Sequence, residues 1–220
     1  MIQLSRQTIA LIVVGLFAAV SSFWVTSSSQ TEDTPKPVVE QQAEAIFAGG
    51  CFWCVEADFD KIEGVLETIS GYTGGFLENP TYQDVVRKKT GHYEAVKVVY
   101  DPSRVTYSEL VEFFWRHVDP TDAGGQFCDR GDSYRTAIFT SDDSETIIAE
   151  ASKAAIDSAS FLPGPIVTPI LEASTFYPAE TYHQNYYSKN PIRYSLYRNG
   201  CGRDNRIKEV WKNDPKSSAS

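Results

Sequence analysis

Two adjacent glycines and a thiol, Gly49-Gly50-Cys51-Phe52-Trp53-Cys54, stand directly after the apolar run Ala45-Ile46-Phe47-Ala48. A short apolar run stopped by glycines predicts a buried strand that ends in a sharp turn. The following Val55-Glu56-Ala57-Asp58-Phe59 has the spacing of an amphipathic helix that starts at once. The chain is thereby committed to a strand, a tight turn and a helix, with Cys51 at the helix N-terminus. Unpaired backbone N–H groups and the positive end of the helix dipole favour a thiolate there, so a lowered pKa and a nucleophilic role are expected. The competing reading is a buried structural cysteine.

The rest of the chain alternates in the same manner. Apolar and alternating runs predict strands over 45–48, 64–71, 94–100, 134–140 and 166–173. Helices are predicted over 52–61 and 108–117, and a third is predicted to run from the capping residues Asp142 and Ser144 to about Ala159. Thr73-Gly74-Gly75 and Asn79-Pro80 mark a long loop that carries Tyr82, and Asp119 to Gly131 reads as a polar, glycine-bearing loop. Beyond Phe176 the periodicity fades into a long irregular C-terminal tail rich in Tyr, Asn and Arg. No glycine-rich dinucleotide fingerprint accompanies the alternation, so the class is α+β, a two-layer sandwich of sheet and helices.

At the N-terminus, Arg6 precedes the apolar stretch 9–20, and Phe23-Trp24-Val25 resumes it. Residues 1–25 are expected to be a signal peptide or an N-terminal membrane anchor. Residues 26–43, polar and carrying Pro35-Lys36-Pro37, are expected to be a flexible tether. One catalytic domain follows over 44–211, with a disordered tail at 212–220. The domain is expected to be exported to the periplasm or another extracytoplasmic space, touching a membrane only through its N-terminus. Acidic residues outnumber basic ones, 29 Asp+Glu against 20 Lys+Arg, with no basic block, which argues against a nucleic-acid partner. The four cysteines, at 51, 54, 128 and 201, are too few for a disulfide scaffold, and their spacing offers no closed zinc site. Met1 is the only methionine, a composition that suits work among oxidants and that chance explains nearly as well.

A broad set of segments is similar to one family, the peptide-methionine (S)-S-oxide reductases, and within it to members with a GCFWC motif. The segments are 49–53, Gly71-Tyr72-Thr73-Gly74-Gly75, Asn79-Pro80-Thr81-Tyr82, Thr90-Gly91-His92-Tyr93-Glu94-Ala95-Val96 and Tyr100-Asp101-Pro102. Further on stand Phe114-Trp115, His117, Asp119-Pro120-Thr121, Asp129-Arg130-Gly131, Tyr134-Arg135, Phe176-Tyr177-Pro178-Ala179-Glu180 and Tyr182-His183-Gln184-Asn185-Tyr186. They recur in the family's order and run from about Ala45 to Trp211. The resemblance implies a ferredoxin-like core and thiol-dependent reduction of the S epimer of methionine sulfoxide, free or in proteins. It also implies no bound cofactor and a thioredoxin-like or small dithiol reductant; a monomer is expected.

Carried over residue by residue, the resemblance makes Cys51 the nucleophile on the sulfoxide sulfur and Glu94 the acid that protonates the departing oxygen. A partly desolvated glutamic acid stays protonated near neutrality. Tyr82 and Tyr134 match a pair of phenols on the sulfoxide oxygen, Phe52 and Trp53 an apolar pocket for the terminal methyl group, and Asp129 a carboxylate that holds substrate and site geometry. Read without the family, Glu94 is equally a solvated strand residue, the two tyrosines core residues, and His183 a structural histidine. No metal is required. After attack Cys51 becomes a sulfenic acid. Cys201, between Gly200 and Gly202 and flanked by Arg198 and Arg203, is the expected resolving thiol through a Cys51–Cys201 disulfide. Cys54, one helical turn from Cys51, is the alternative that could resolve or relay. Cys128 reads as a bystander. Two rival classes are a thioredoxin-like dithiol-disulfide oxidoreductase using Cys51 and Cys54 alone, and a tethered domain that binds methionine side chains without turnover.

Overall fold

The structure is a computed structural model and describes residues 41–87 and 89–215. The expected signal or anchor, nearly all of the expected tether and the last residues of the expected tail lie outside the described residues.

The chain runs β1 (Ala43–Gly49), α1 (Phe52–Phe59), β2 (Val65–Thr73), α2 (Tyr82–Val86), β3 (Tyr93–Tyr100), α3 (Tyr107–Trp115), β4 (Gly125–Gln126), β5 (Asp129–Arg130) and β6 (Thr136–Thr140). It continues through α4 (Asp143–Ala159), β7 (Ile170–Glu172), β8 (Tyr177–Pro178), α5 (Tyr186–Lys189), α6 (Pro191–Gly200) and α7 (Arg203–Val210). Six strands form one sheet in the order β7-β6-β1-β3-β2-β8. Its centre, β6-β1-β3-β2, is antiparallel throughout, with α1 between β1 and β2 and α3 between β3 and β6. That is the β-α-β-β-α-β plan of a ferredoxin-like core. A second crossover through α4 places β7 parallel to β6, and β8 closes the far edge on β2.

The unbroken apolar run of β1 has its explanation in burial on both faces. Ala45 and Phe47 enter the large cluster beneath α1 and α3, where the Phe47 ring lies 4.9 Å from Phe59 and 5.2 Å from Phe114. Ile46 and Ala48 face a smaller cluster with Tyr93, Ala137 and Phe139. A strand covered on both sides has no use for polar alternation. Helix starts follow capping chemistry: Thr106 and Glu109 form a capping box for α3, and Asp142 caps α4 through Glu145 N–H.

Three expectations need correction. Tyr82 begins a short helix, α2, whose start is fixed by the Thr81–Asp84 capping box; five residues are too few for periodicity to show. The expected strand 166–173 forms only as β7, because pairing with β6 spans Ile138 to Thr140 alone. The C-terminal tail is not irregular: it carries β8, α5, α6 and α7, and it wraps α1. Helix α1 is therefore buried on both sides, and its polar residues Glu56 and Asp58 are as buried as its phenylalanines. Glu56 accepts a hydrogen bond from Asn185 N (3.0 Å), and Asp58 pairs with Arg198 (3.0 Å). These contacts use a backbone N–H and an Arg side chain, so the wrapping helices show little aliphatic stripe for sequence patterning to detect. Among the described residues no helix is long and apolar enough to cross a membrane.

Candidate active site

The turn between β1 and α1 is shaped by Gly50. Its φ is +87°, and a Cβ there would lie 2.6 Å from the Gln126 Cβ, so both conformation and space demand glycine. Gln126 is itself fixed, donating through Nε2 to Asp119 O (2.8 Å) and accepting at Oε1 from Asp119 N (2.9 Å). Cys51 is then the N-cap of α1, its carbonyl accepting from Cys54 N (3.1 Å) and Val55 N (3.3 Å).

Cys51, Phe52, Trp53, Tyr82, Glu94, Asp129 and Tyr134 all line one cavity of about 70 Å³. The fold brings them there from β1's end, α1, α2, β3, β5 and the 3-10 turn Asp132–Tyr134. Its eighth wall residue, Tyr197 on α6, was absent from the sequence reading. The Tyr197 hydroxyl donates to Asp129 Oδ2 and also bonds to the Cys51 sulfur. A larger groove of about 460 Å³ between α3, α4 and Pro215 holds Glu112, Arg116 and Asp214 but no thiol.

Glu94 sits on β3, 2 % exposed, with Oε2 accepting from Phe52 N at 3.1 Å. Burial pushes its carboxyl up to about 8, and the Asp129 charge adds to this, so it is largely protonated at neutral pH. Tyr82 and Tyr134 are hydrogen-bonded to each other, and burial raises both phenols, Tyr82 to about 12. Both remain proton donors.

The thiols depart from expectation. Cys51 is not lowered by its helix N-terminus: burial pushes it well up, and hydrogen bonding to Cys54 and the charges of Cys54 and Glu94 add to the rise. Burial costs an ion more than one short helix dipole returns. The neighbouring Cys54 is the acidic one, brought to about 7, first by its hydrogen bond from Cys51 and then, against its burial, by the Arg203 and Arg198 charges. As a pair, the two sulfurs lose one proton readily and the second with difficulty.

The disulfide present differs from the expected Cys51–Cys201 pair: Cys201 stands outside the cavity and is joined to Cys128, with Cα atoms 4.9 Å apart, while Cys51 and Cys54 are free thiols. Nothing local to Cys128 in the sequence marks a partner 73 residues away. Cys128, Asp129 and Cys201 present ligand atoms within 4.8 Å of one another, but a disulfide offers a metal no thiolate.

Trp53 is held on three sides. Its indole Nε1–H donates to His183 Nδ1 (3.0 Å), its ring stacks on Tyr186 at 3.7 Å, and Tyr197 meets it edge-on. Glu180 completes the frame by accepting from Tyr72 Oη and from Tyr82 N, both at 2.9 Å. His183 and Glu180 lay in segments read as family-like; their positioning roles could not be seen without the fold.

The sequence profile of the family described as Peptide methionine sulfoxide reductase matches residues 43–215. "Peptide methionine sulfoxide reductase MsrA 2" of Rhizobium meliloti (strain 1021) is 55 % identical over 167 residues, covering 76 % of this chain and 82 % of that protein. "Peptide methionine sulfoxide reductase MsrA" of Bacillus subtilis (strain 168) is 51 % identical over 172 residues, 78 % of this chain and 97 % of the relative. Among solved structures, reduced Mxr1 from Saccharomyces cerevisiae superposes with a TM-score of 0.65 at 30 % identity, covering 72 % of this chain and 91 % of Mxr1. Methionine sulfoxide reductase A of Corynebacterium diphtheriae gives 0.62 at 35 % identity, covering 72 % and 78 %. The chain belongs to the peptide methionine sulfoxide reductase family.

Proposed function

We propose that Cys51, Glu94 and the Tyr82–Tyr134 pair are the groups with which this chain reduces methionine S-sulfoxide to methionine. The observation that carries the reading is that a protonated carboxyl, two phenols and a thiol share one small cavity walled by Phe52 and Trp53. The S-methyl group seats against the two aromatic faces, and the sulfoxide oxygen accepts hydrogen bonds from the phenols and from Glu94. Cys54, acidic enough to be partly ionised, takes the Cys51 proton as the Cys51 sulfur attacks. Glu94 protonates the oxygen as the S–O bond weakens. Oxygen passes to Cys51, methionine leaves, and a sulfenic acid remains. A second thiol displaces water from it to form a disulfide, which a thioredoxin-like or small dithiol donor reduces. A dithiol exchanger relying on Cys51 and Cys54 alone has no need of Glu94 or the phenols.

Assaying both epimers of a sulfoxide-containing peptide tests the assignment. The S epimer is expected to yield methionine, and Cys51→Ser to yield none, since an alcohol neither attacks nor forms the sulfenic acid. Appreciable methionine from that variant would sink the mechanism.

We also propose that the domain is exported, on the strength of Arg6 and the apolar stretch 9–25. A reporter active only outside the cytoplasm, fused after Ala43, should be active; a silent reporter with full-length soluble protein in the cytosol would refute export.

A further inference from the structure

We propose that Cys128 is a redox-active thiol, and that the Cys128–Cys201 disulfide is the terminal oxidised form of the enzyme, the one presented to the external dithiol. The proposal rests on the sulfoxide reading above.

Proximity is the first observation. Cys128 and Cys201 are paired with Cα atoms 4.9 Å apart, outside the cavity, while Cys51 and Cys54 form a second close pair within the site. Access runs the same way. Cys51 and Cys54 are 6 % and 2 % exposed, whereas Cys128 is exposed and Cys201 half-buried. A disulfide locked in the site is out of reach of a protein reductant, and one between Cys128 and Cys201 is not.

The two cysteines are also wired to the cavity. Cys128 precedes the wall residue Asp129. Cys201 donates its N–H to the carbonyl of the wall residue Tyr197 (2.9 Å). Tyr197 in turn bonds both Asp129 and the Cys51 sulfur, so the outer disulfide lies directly behind two side chains that touch the site. Arg203, 2 % exposed, ties the three thiol-bearing segments together. Its guanidinium donates to Gly49 O (3.1 Å) and His117 O (2.8 Å) and lies 4.7 Å from the Phe127 ring centroid. Phe127 holds φ at +55°, a left-handed conformation that costs a bulky residue energy and that the surrounding contacts must maintain. Cys201 has room to move: a Cβ on Gly200 or Gly202 would meet nothing within 4 Å.

The exchange balances. Cys54 attacks the Cys51 sulfenic sulfur, releasing water and forming Cys51–Cys54. Cys201 thiolate attacks the Cys51 sulfur, with Cys54 leaving as the more acidic thiol. Cys128 then attacks the Cys201 sulfur and releases Cys51. In sum, one sulfoxide and the two thiols Cys128 and Cys201 give methionine, water and the Cys128–Cys201 disulfide, and the site dithiol is ready again.

Fully reduced protein is given one equivalent of a methionine S-sulfoxide peptide without reductant, quenched by alkylation and mapped by mass. The expected product is Cys128–Cys201, with Cys51 and Cys54 alkylated; a second equivalent should release a second methionine. Cys128→Ser should still release methionine but retain a disulfide at Cys51, with turnover supported by purified thioredoxin at least tenfold slower. Methionine release with the disulfide fixed at Cys51 in the unmutated protein, or unimpaired recycling by Cys128→Ser, overturns the outlet alone. A parallel arm oxidises reduced protein with one equivalent of diamide, and Cys128–Cys201 should close first. Closure there in protein that releases no methionine from sulfoxide would overturn the sulfoxide reading, and the outlet role with it.

Discussion

The ferredoxin-like half of the domain and the C-terminal wrap divide the work unequally. Cys51, Tyr82, Glu94 and Tyr134 all sit on, or beside, elements of the half that ends with β6, where backbone hydrogen bonding and dense packing fix them. The wrap over 176–215 adds a single two-residue strand to the sheet, yet it supplies Tyr197, the partners of Trp53, Cys201 and both arginines that draw charge to Cys54. On the proposed mechanism, the groups that meet the transition state stand on the rigid framework, and those that move or tune a neighbour stand on the part held by side chains. That division makes a graded set of expectations.

The largest effect belongs to the rigid half. Glu94→Gln should keep the hydrogen bond from Phe52 N yet slow the chemical step by about 10²–10⁴-fold, the range for loss of a general acid; a near-normal single-turnover rate would remove Glu94 from that role. The unmutated enzyme should show a bell-shaped single-turnover profile, rising as Cys54 ionises near 7 and falling as Glu94 ionises near 8. Glu94→Gln should lose the alkaline limb.

Tyr197→Phe, in the wrap, cuts the link between Asp129 and Cys51. Losing a hydrogen bond to a charged group costs about 1.5–3 kcal/mol when fully expressed, so roughly a tenfold fall in single-turnover rate is expected, smaller than that of Glu94→Gln. An equal or greater loss would erase the distinction between the two regions.

Arg198→Gln should act less again. One of two guanidinium charges leaves Cys54, its apparent pKa rises, and the acid limb of the rate profile moves to higher pH with little change in maximum rate. An unmoved limb would show that Arg198 serves packing alone.

The smallest effect concerns stability. Burial raises Glu56 to about 7, above its unfolded value, so the native state binds that proton more tightly. Stability from this group is present below the unfolded pKa and is lost as pH rises through the folded value. Melting temperatures should decline between about pH 5 and 8, and less steeply in Glu56→Gln.

The same division governs what the sequence discloses. The strand–turn–helix around Cys51 is legible because Gly50 needs a positive φ and because Phe47, Phe52 and Phe59 repeat at structural periods. The cluster that lines the small cavity is legible through short motifs attached to that framework. The wrap stayed obscure for physical reasons. Arg203 beside Cys201 reads as a charge for that thiol, but its guanidinium donates to carbonyls 154 and 86 residues away and its charge acts on Cys54. Tyr197 reads as one tyrosine among many, because its significance lies in Asp129, 68 positions earlier. Cys51 misled in the opposite sense: its place at a helix N-terminus was read correctly, but local sequence says nothing of the burial that outweighs the dipole.

The small volume of the cavity sets a rule for the proposed substrates. A space of about 70 Å³ receives the tip of a side chain and no backbone, so a protein substrate is met only through what it extends outward. Oxidised methionines on surfaces are open to correction at once. Those in a packed interior wait until their host opens, and damage that loosens a fold thereby hastens its own repair.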